Sequence, residues 1–160
     1  FEVRLPEKRQ FFLQNSDLFS SFGSSYSAQP FFSRRIGVAK DINGNTIQNR
    51  IISGARLSGK INKNLRLGIL NMVTDSDAKN KISSNNNSVI AIQQKMFSRS
   101  FLGAFFVNRQ KIANEEFEND QKEYNRVLGV DYNLQSKNNN WVGKLWYHKS
   151  FETDNNENNF

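Results

Sequence analysis

Cysteine is absent from the 160 residues, histidine occurs once and proline twice. Without cysteine there is no disulfide framework, no thiolate nucleophile and no cysteine-ligated metal, and a single histidine excludes a histidine-rich metal site. Long apolar runs are missing too, since no stretch approaches the ~18 residues that a transmembrane helix needs. Together with a mean hydropathy of -0.68, this argues against a helical membrane protein. It leaves a membrane β-barrel open, because strands that face lipid and lumen with alternate residues average to a polar value. Sustained helical periodicity and a glycine-rich phosphate loop are lacking as well.

What is present is period-two patterning in runs of about ten residues, the mark of half-buried strands. In residues 127–134, Leu128, Val130, Tyr132 and Leu134 alternate with Gly129, Asp131 and Asn133. This predicts the first set facing lipid and the second facing the interior, since a one-residue slip would put Asp131 in hydrocarbon. In 50–61, Ile51, Ala55, Leu57 and Ile61 alternate with Arg50, Arg56, Ser58 and Lys60; in 141–151, Trp141, Leu145, Tyr147 and Phe151 alternate with Lys144, His148 and Ser150. Residues 65–74 begin with Leu67 and Ile69 opposite Arg66 and Gly68, then lose the pattern at Leu70 and Met72. Residues 89–96 and 101–109 are apolar on both faces for part of their length and read as strands open to burial on both sides. Adding 31–39 and a partial strand at 1–5 gives about seven or eight strands, near the minimum of eight for a closed barrel.

The connections sort by length. Those at 62–64, 97–100 and 135–140 are short, and they alternate with longer polar ones at 41–49, 75–87 and 111–125. Short turns on one side and long loops on the other predict an all-β, antiparallel, up-and-down transmembrane barrel with the short turns periplasmic. Tyr132, Trp141, Tyr147 and Phe151 fall near strand ends, where interfacial girdles lie. The chain opens in a strand pattern without an initiator Met and stops after an Asn-rich stretch. We therefore expect one piece of a wider barrel, a sheet that does not close on itself.

Residues 6–30 break the strand rhythm. They are rich in Phe and Ser, with Glu7, Lys8 and Arg9 clustered and Asp17 further on. Irregular backbone at membrane depth is tolerated only inside protein or beside water. The segment is expected to fold into the lumen as a constriction or to form an ordered periplasmic loop. In the first case Glu7, Lys8, Arg9 and Asp17 enter ion pairs that include Arg34 or Arg35, adjacent residues that on a strand point to opposite faces. The formal charge of +7 raises the question of nucleic acid. Arg56, Lys60, Arg66, Lys95 and Lys144, however, are spread singly over successive strands on the interior faces, which fits a cationic lumen for anionic or polyhydroxylated solutes. His148 has no Ser or Asp arrangement that spells a triad and reads as a solvated lumen residue. Glu115, Glu116, Glu118 and Asp120 crowd into one loop with Lys111 and Lys122 and read as a solvated run, not as a glycosidase pair. No metal, cofactor or catalytic residue is predicted.

The stretches PEKRQFFLQNSDLF at 6–19 and PFFSRRIG at 30–37 resemble an outer-membrane barrel family of Gram-negative bacteria, catalogued as a domain of unknown function, number 5916. ISGARLSGK at 52–60, LGILNMVT at 67–74 and FLGAFFVNR at 101–109 are similar to its pattern as well, so the resemblance runs from residue 1 to about residue 147. Members usually follow a carbohydrate-binding module of family-nine type. The resemblance implies a location in the bacterial outer membrane, contact with its lipid and with partner proteins there, and a transport, binding or scaffold role linked to glycan use. A membrane-associated glycan hydrolase with its active site outside this segment is the second expectation, and a soluble β-sandwich binding module the third.

Overall fold

The computed structural model describes residues 8–24, 29–112 and 123–153, and the backbone of 158–159. The fold is all-β and antiparallel. Six strands follow the period-two runs: β3 (Ile51–Lys60), β4 (Leu65–Thr74), β5 (Asn85–Met96), β6 (Ser100–Lys111), β7 (Tyr124–Gln135) and β8 (Val142–Glu152). From β4 onward each pairs with the one before it, and β9 (Asn158–Asn159) adds to β8 at Lys149 and Ser150. The Asn-rich end thus contributes a short strand. This seven-stranded meander is open: β3 and β9 are its outer strands and do not pair with each other. The partial strand at 1–5 lies outside the described residues.

Strand 31–39 is shorter than its sequence implies. Ser33–Arg35 forms a 3-10 turn, Gly37 takes a φ of 85° that a strand does not allow, and only β1 (Val38–Lys40) is extended. It forms a separate hairpin with β2 (Thr46–Gln48), so 41–49 is a hairpin and not one long loop. Asp41 makes its turn, accepting from the Asn43 and Asn45 amides at 2.9 and 2.8 Å. Arg34 and Arg35, being on the 3-10 turn, are not the first residues of a strand.

Residues 8–24 lie against one face of the sheet, the inner face. They form two short helices, α1 (Gln10–Leu13) and α2 (Ser16–Ser20). Phe12, Leu18, Phe19 and Phe22 from this segment, with Ile36, form a core with Leu70 and Met72 of β4, Val89 and Ala91 of β5, and Phe105 of β6. Here lies the reason that the alternation fades at Leu70 and Met72: both belong to the inner face, which is apolar where the helices cover it. At the start of β3 the pairing steps from Ile51–Thr74 to Ser53–Val73, a bulge that places one extra residue on β3. Ile51 is thereby turned onto the inner core, off the face of Leu57.

The outer face is apolar and uncovered. Leu57, Ile69, Ile90, Ile92, Leu128 and Val130 are exposed, Leu57 at 66% and Val130 at 47%. Because Ile90, Ile92 and Leu102 are among the exposed residues, β5 and β6 are not buried on both sides. Towards the long-loop end this face turns polar, where the Asn71 amide donates to Asn86 Oδ1 and Ser88 Oγ, and Arg126 donates to Asn108 Oδ1.

Candidate functional site

The inner face and the segment against it form the candidate site. Its most buried polar groups are Asp131, on β7, and His148, on β8. In the β7–β8 register Asp131 lies opposite Trp146, so Lys144 and His148 bracket it diagonally on the same face. His148 Nε2 is 2.7 Å from Asp131 Oδ1, and Lys144 Nζ is 3.2 Å from Oδ2. Asp131 and His148 are each 1% exposed. The histidine is therefore a buried partner of Asp131 and not a solvated residue. Phe105 presents its ring to the imidazole edge-on, with centroids 4.8 Å apart.

This cluster grips the inner segment. The Gly23 N–H donates to Asp131 Oδ2 at 2.7 Å, and Lys144 Nζ donates to the Ser21 and Gly23 carbonyls at 2.6 Å each. Gly23, three residues past the end of α2, has a φ of 70°, a turn conformation that glycine takes without strain. Between the two clamped carbonyls sits Phe22, buried, its ring 4.6 Å from that of Phe105. Glycines on the wall make room for it: a Cβ on Gly103 would stand 2.7 Å from Phe22, and one on Gly68 2.6 Å from Phe19.

A second anchor holds α2 at the short-turn end. Arg66 of β4 forks onto Asp17, Nη1 to Oδ2 at 2.6 Å and Nη2 to Oδ1 at 3.1 Å, and also donates to Gln93 Oε1 at 3.1 Å. The hydrogen bond from Arg66 is the main reason that the Asp17 carboxyl titrates below the usual carboxylate range, against the opposing effect of partial burial. Asp17 thus pairs with Arg66 and not with Arg34 or Arg35. Arg56 of β3 donates through Nη1 to the Phe11 carbonyl and stands 5.0 Å over the Phe19 ring, while its Nε and Nη2 are buried without partners. Arg9 donates to the Ile36 and Ser33 carbonyls at 3.0 and 2.9 Å and covers the Phe12 ring, tying the segment to the 3-10 turn.

Polar recesses lie at both ends of this apolar centre. At the long-loop end a cavity of about 660 Å³ is lined by Arg34, Arg35, Lys81, Arg109, Lys111 and Glu123, among others. Lys8 borders a smaller recess nearby with Arg9 and Arg34. At the short-turn end a recess of about 690 Å³ contains Lys60, Arg66 and Lys95. Asn133 is half-buried on the inner face opposite Lys144. The structure therefore gathers Asp131, Lys144 and His148 into one cluster, joins Asp17 to Arg66 with Lys60 opposite Arg66 on β3, and sets Arg56 against Phe11 and Phe19. Glu7 and the acidic residues at 115–120 lie outside the described residues. Among the described residues no three metal-ligating side chains converge. Gly23, Ser21 and Phe22 carried no sequence signal; the bracketing of Asp131 by Lys144 and His148 did, once the short turn at 135–140 fixes which residues of the two strands meet. Compared with family models, curated proteins and solved structures, the chain matches none.

Proposed function

We propose that this chain forms part of the wall of an integral β-barrel in a bacterial outer membrane, and that residues 9–24 act as a plug narrowing its lumen. The observation that carries the reading is the inverted polarity of the sheet. A sheet in water buries its apolar face and wets its polar one, whereas here Leu57, Ile90, Val130 and Leu145 stand bare while Asp131, His148 and Arg66 are turned towards protein. On β7 the apolar positions run from Leu128 to Leu134, about 20 Å of strand, on the order of the apolar band of such barrels.

Phe97 supports the same reading. It lies in the short turn between β5 and β6, 83% exposed, with a φ of 54°. An L-residue pays about 1 kcal/mol for that backbone conformation, and an exposed ring gains nothing in water. At a membrane interface, beside Trp141 on the next short turn, it gains a place in the headgroup layer. In this setting the two cationic recesses line a pathway interrupted by Leu18, Phe19 and Phe22. The family resemblance adds a transport, binding or scaffold role in glycan use at the cell surface, with outer-membrane proteins as partners.

Nitroxide labels test the topology. Labels at 128 and 130 should be relaxed by oxygen and shielded from a water-soluble nickel chelate in lipid vesicles, and a label at 58 should behave oppositely. Equal access of the chelate to all three positions would mean that the outer face is wet, and would favour a soluble β-sheet module. Deletion of 7–29 should raise single-channel conductance in planar bilayers if the segment is a plug; an unchanged conductance in a folded variant would make it a periplasmic loop.

A further inference from the structure

We propose that the recess at the short-turn end of the inner face binds a small soluble molecule bearing several oxyanion groups, and that Arg66 is shared between this ligand and Asp17. The inference deepens the proposed function by naming what the lumen takes up.

Five cations line the recess: Lys60, Lys63, Arg66, Lys95 and Arg99. Among the described residues, the one carboxylate bonded to any of them is Asp17, on Arg66. Lys60 and Arg66 are direct cross-strand neighbours on the same face, an arrangement in which like charges repel and destabilise a sheet. Such a concentration of one sign raises the local concentration of anions and steers them inward. At about 690 Å³ the recess is the size of a small-molecule site. Asn15, Asn64 and Gln93 stand among the cations and offer amides to the ligand's remaining polar groups.

Arg66 is set for this role. Its guanidinium already holds one oxyanion in the paired geometry that suits carboxylate and phosphate alike, and Gln93 braces it from the next strand. The Asp17 side chain is 64% exposed, so its carboxylate can leave Arg66 for water without burying a charge. A ligand with several oxyanions engages the four other cations and displaces Asp17 from the fifth. A phospholipid headgroup is the wrong source, because the recess opens on the inner face, opposite the bare apolar one.

The test is calorimetric titration of inorganic tripolyphosphate into the full-chain protein in detergent, in metal-free buffer of low ionic strength. It needs neither insertion of the protein into a bilayer nor a conductance, so its failure is separable from failure of the membrane reading. Saturable binding is expected, weakened about tenfold by Lys60→Gln or Lys95→Gln and strengthened about tenfold by Asp17→Asn, which removes the internal competitor. Lys149→Gln, on the outer face of β8, should leave the affinity unchanged, and phosphatidylglycerol vesicles should not displace the anion. No saturable binding up to about 1 mM, equal weakening by Lys149→Gln, an Asp17→Asn variant with unchanged affinity, or displacement by the vesicles would each overturn the proposal.

Discussion

Asp131 is a carboxylate withdrawn from water between a lysine, a histidine and a backbone amide. Removing one member of such a group leaves the others desolvated and unpaired, which is more damaging than removing opposite charges together. Asp131→Asn should therefore destabilise the folded protein by about 3 kcal/mol. Adding Lys144→Met should restore much of the loss, and the coupling is read from denaturant unfolding of the four variants of the cycle. Additive losses would mean that Lys144 holds the Ser21 and Gly23 carbonyls independently of Asp131. Asp17 gives a pH signature of its own. Its folded-state pKa is lowered by the Arg66 hydrogen bond, against an opposing desolvation, so its contribution is present above the ordinary aspartate pKa of about 3.9 and is lost as pH falls through the lower folded value. The stability difference between the wild type and Asp17→Asn should accordingly be constant near neutrality and shrink below about pH 4. A difference that persisted at lower pH would assign the effect to packing and not to the ion pair.

Among the elements, the strands were legible because burial on one face writes a period of two into the chain. Leu128, Val130 and Leu134 point one way and Asp131 the other as that period dictates. The bulge at Ile51–Ser53 was not legible, since one inserted residue shifts the face without altering which residue types appear. Nor were α1 and α2: at four and five residues they are too short to show a helical repeat, and tertiary contacts rather than propensity hold them. The inner-face glycines show how closely the sheet and the inner segment are fitted, and they separate into two kinds. A Cβ on Gly129 would meet the His148 ring at 2.5 Å and the Tyr147 carbonyl at 2.7 Å, both on the neighbouring strand. Gly129→Ala should thus strain the wall itself and lower stability by about 1–3 kcal/mol. On Gly103 the nearest obstacle is the Phe22 ring. Gly103→Val should leave the sheet folded, by far-ultraviolet circular dichroism, while exposing Phe22 and its backbone to protease; protection equal to the wild type would show that the ring can be accommodated elsewhere.

At the scale of the whole molecule, the sheet and the segment on its inner face make opposite demands on the order of events. Every strand from β4 to β8 pairs with its immediate predecessor, so the meander can grow hairpin by hairpin through short loop closures. Residues 21–24 of the inner segment have no such route. Gly23 must find Asp131 across 108 positions, and Lys144 must reach Ser21 across 123. Helix α2 can meet β4 and β5 as soon as these pair, but the Ser21–Gly23 turn has no partner to bind until β7 and β8 stand side by side. In pulse-labelled hydrogen exchange during refolding in detergent, the Gly23 amide should gain protection after the amides of β4 and β5. Simultaneous protection would mean that the segment templates the sheet instead of entering it. If that turn docks last, the Asp131 carboxylate and the Lys144 ammonium wait without it on the growing sheet, and the segment is latched only when this final clasp closes.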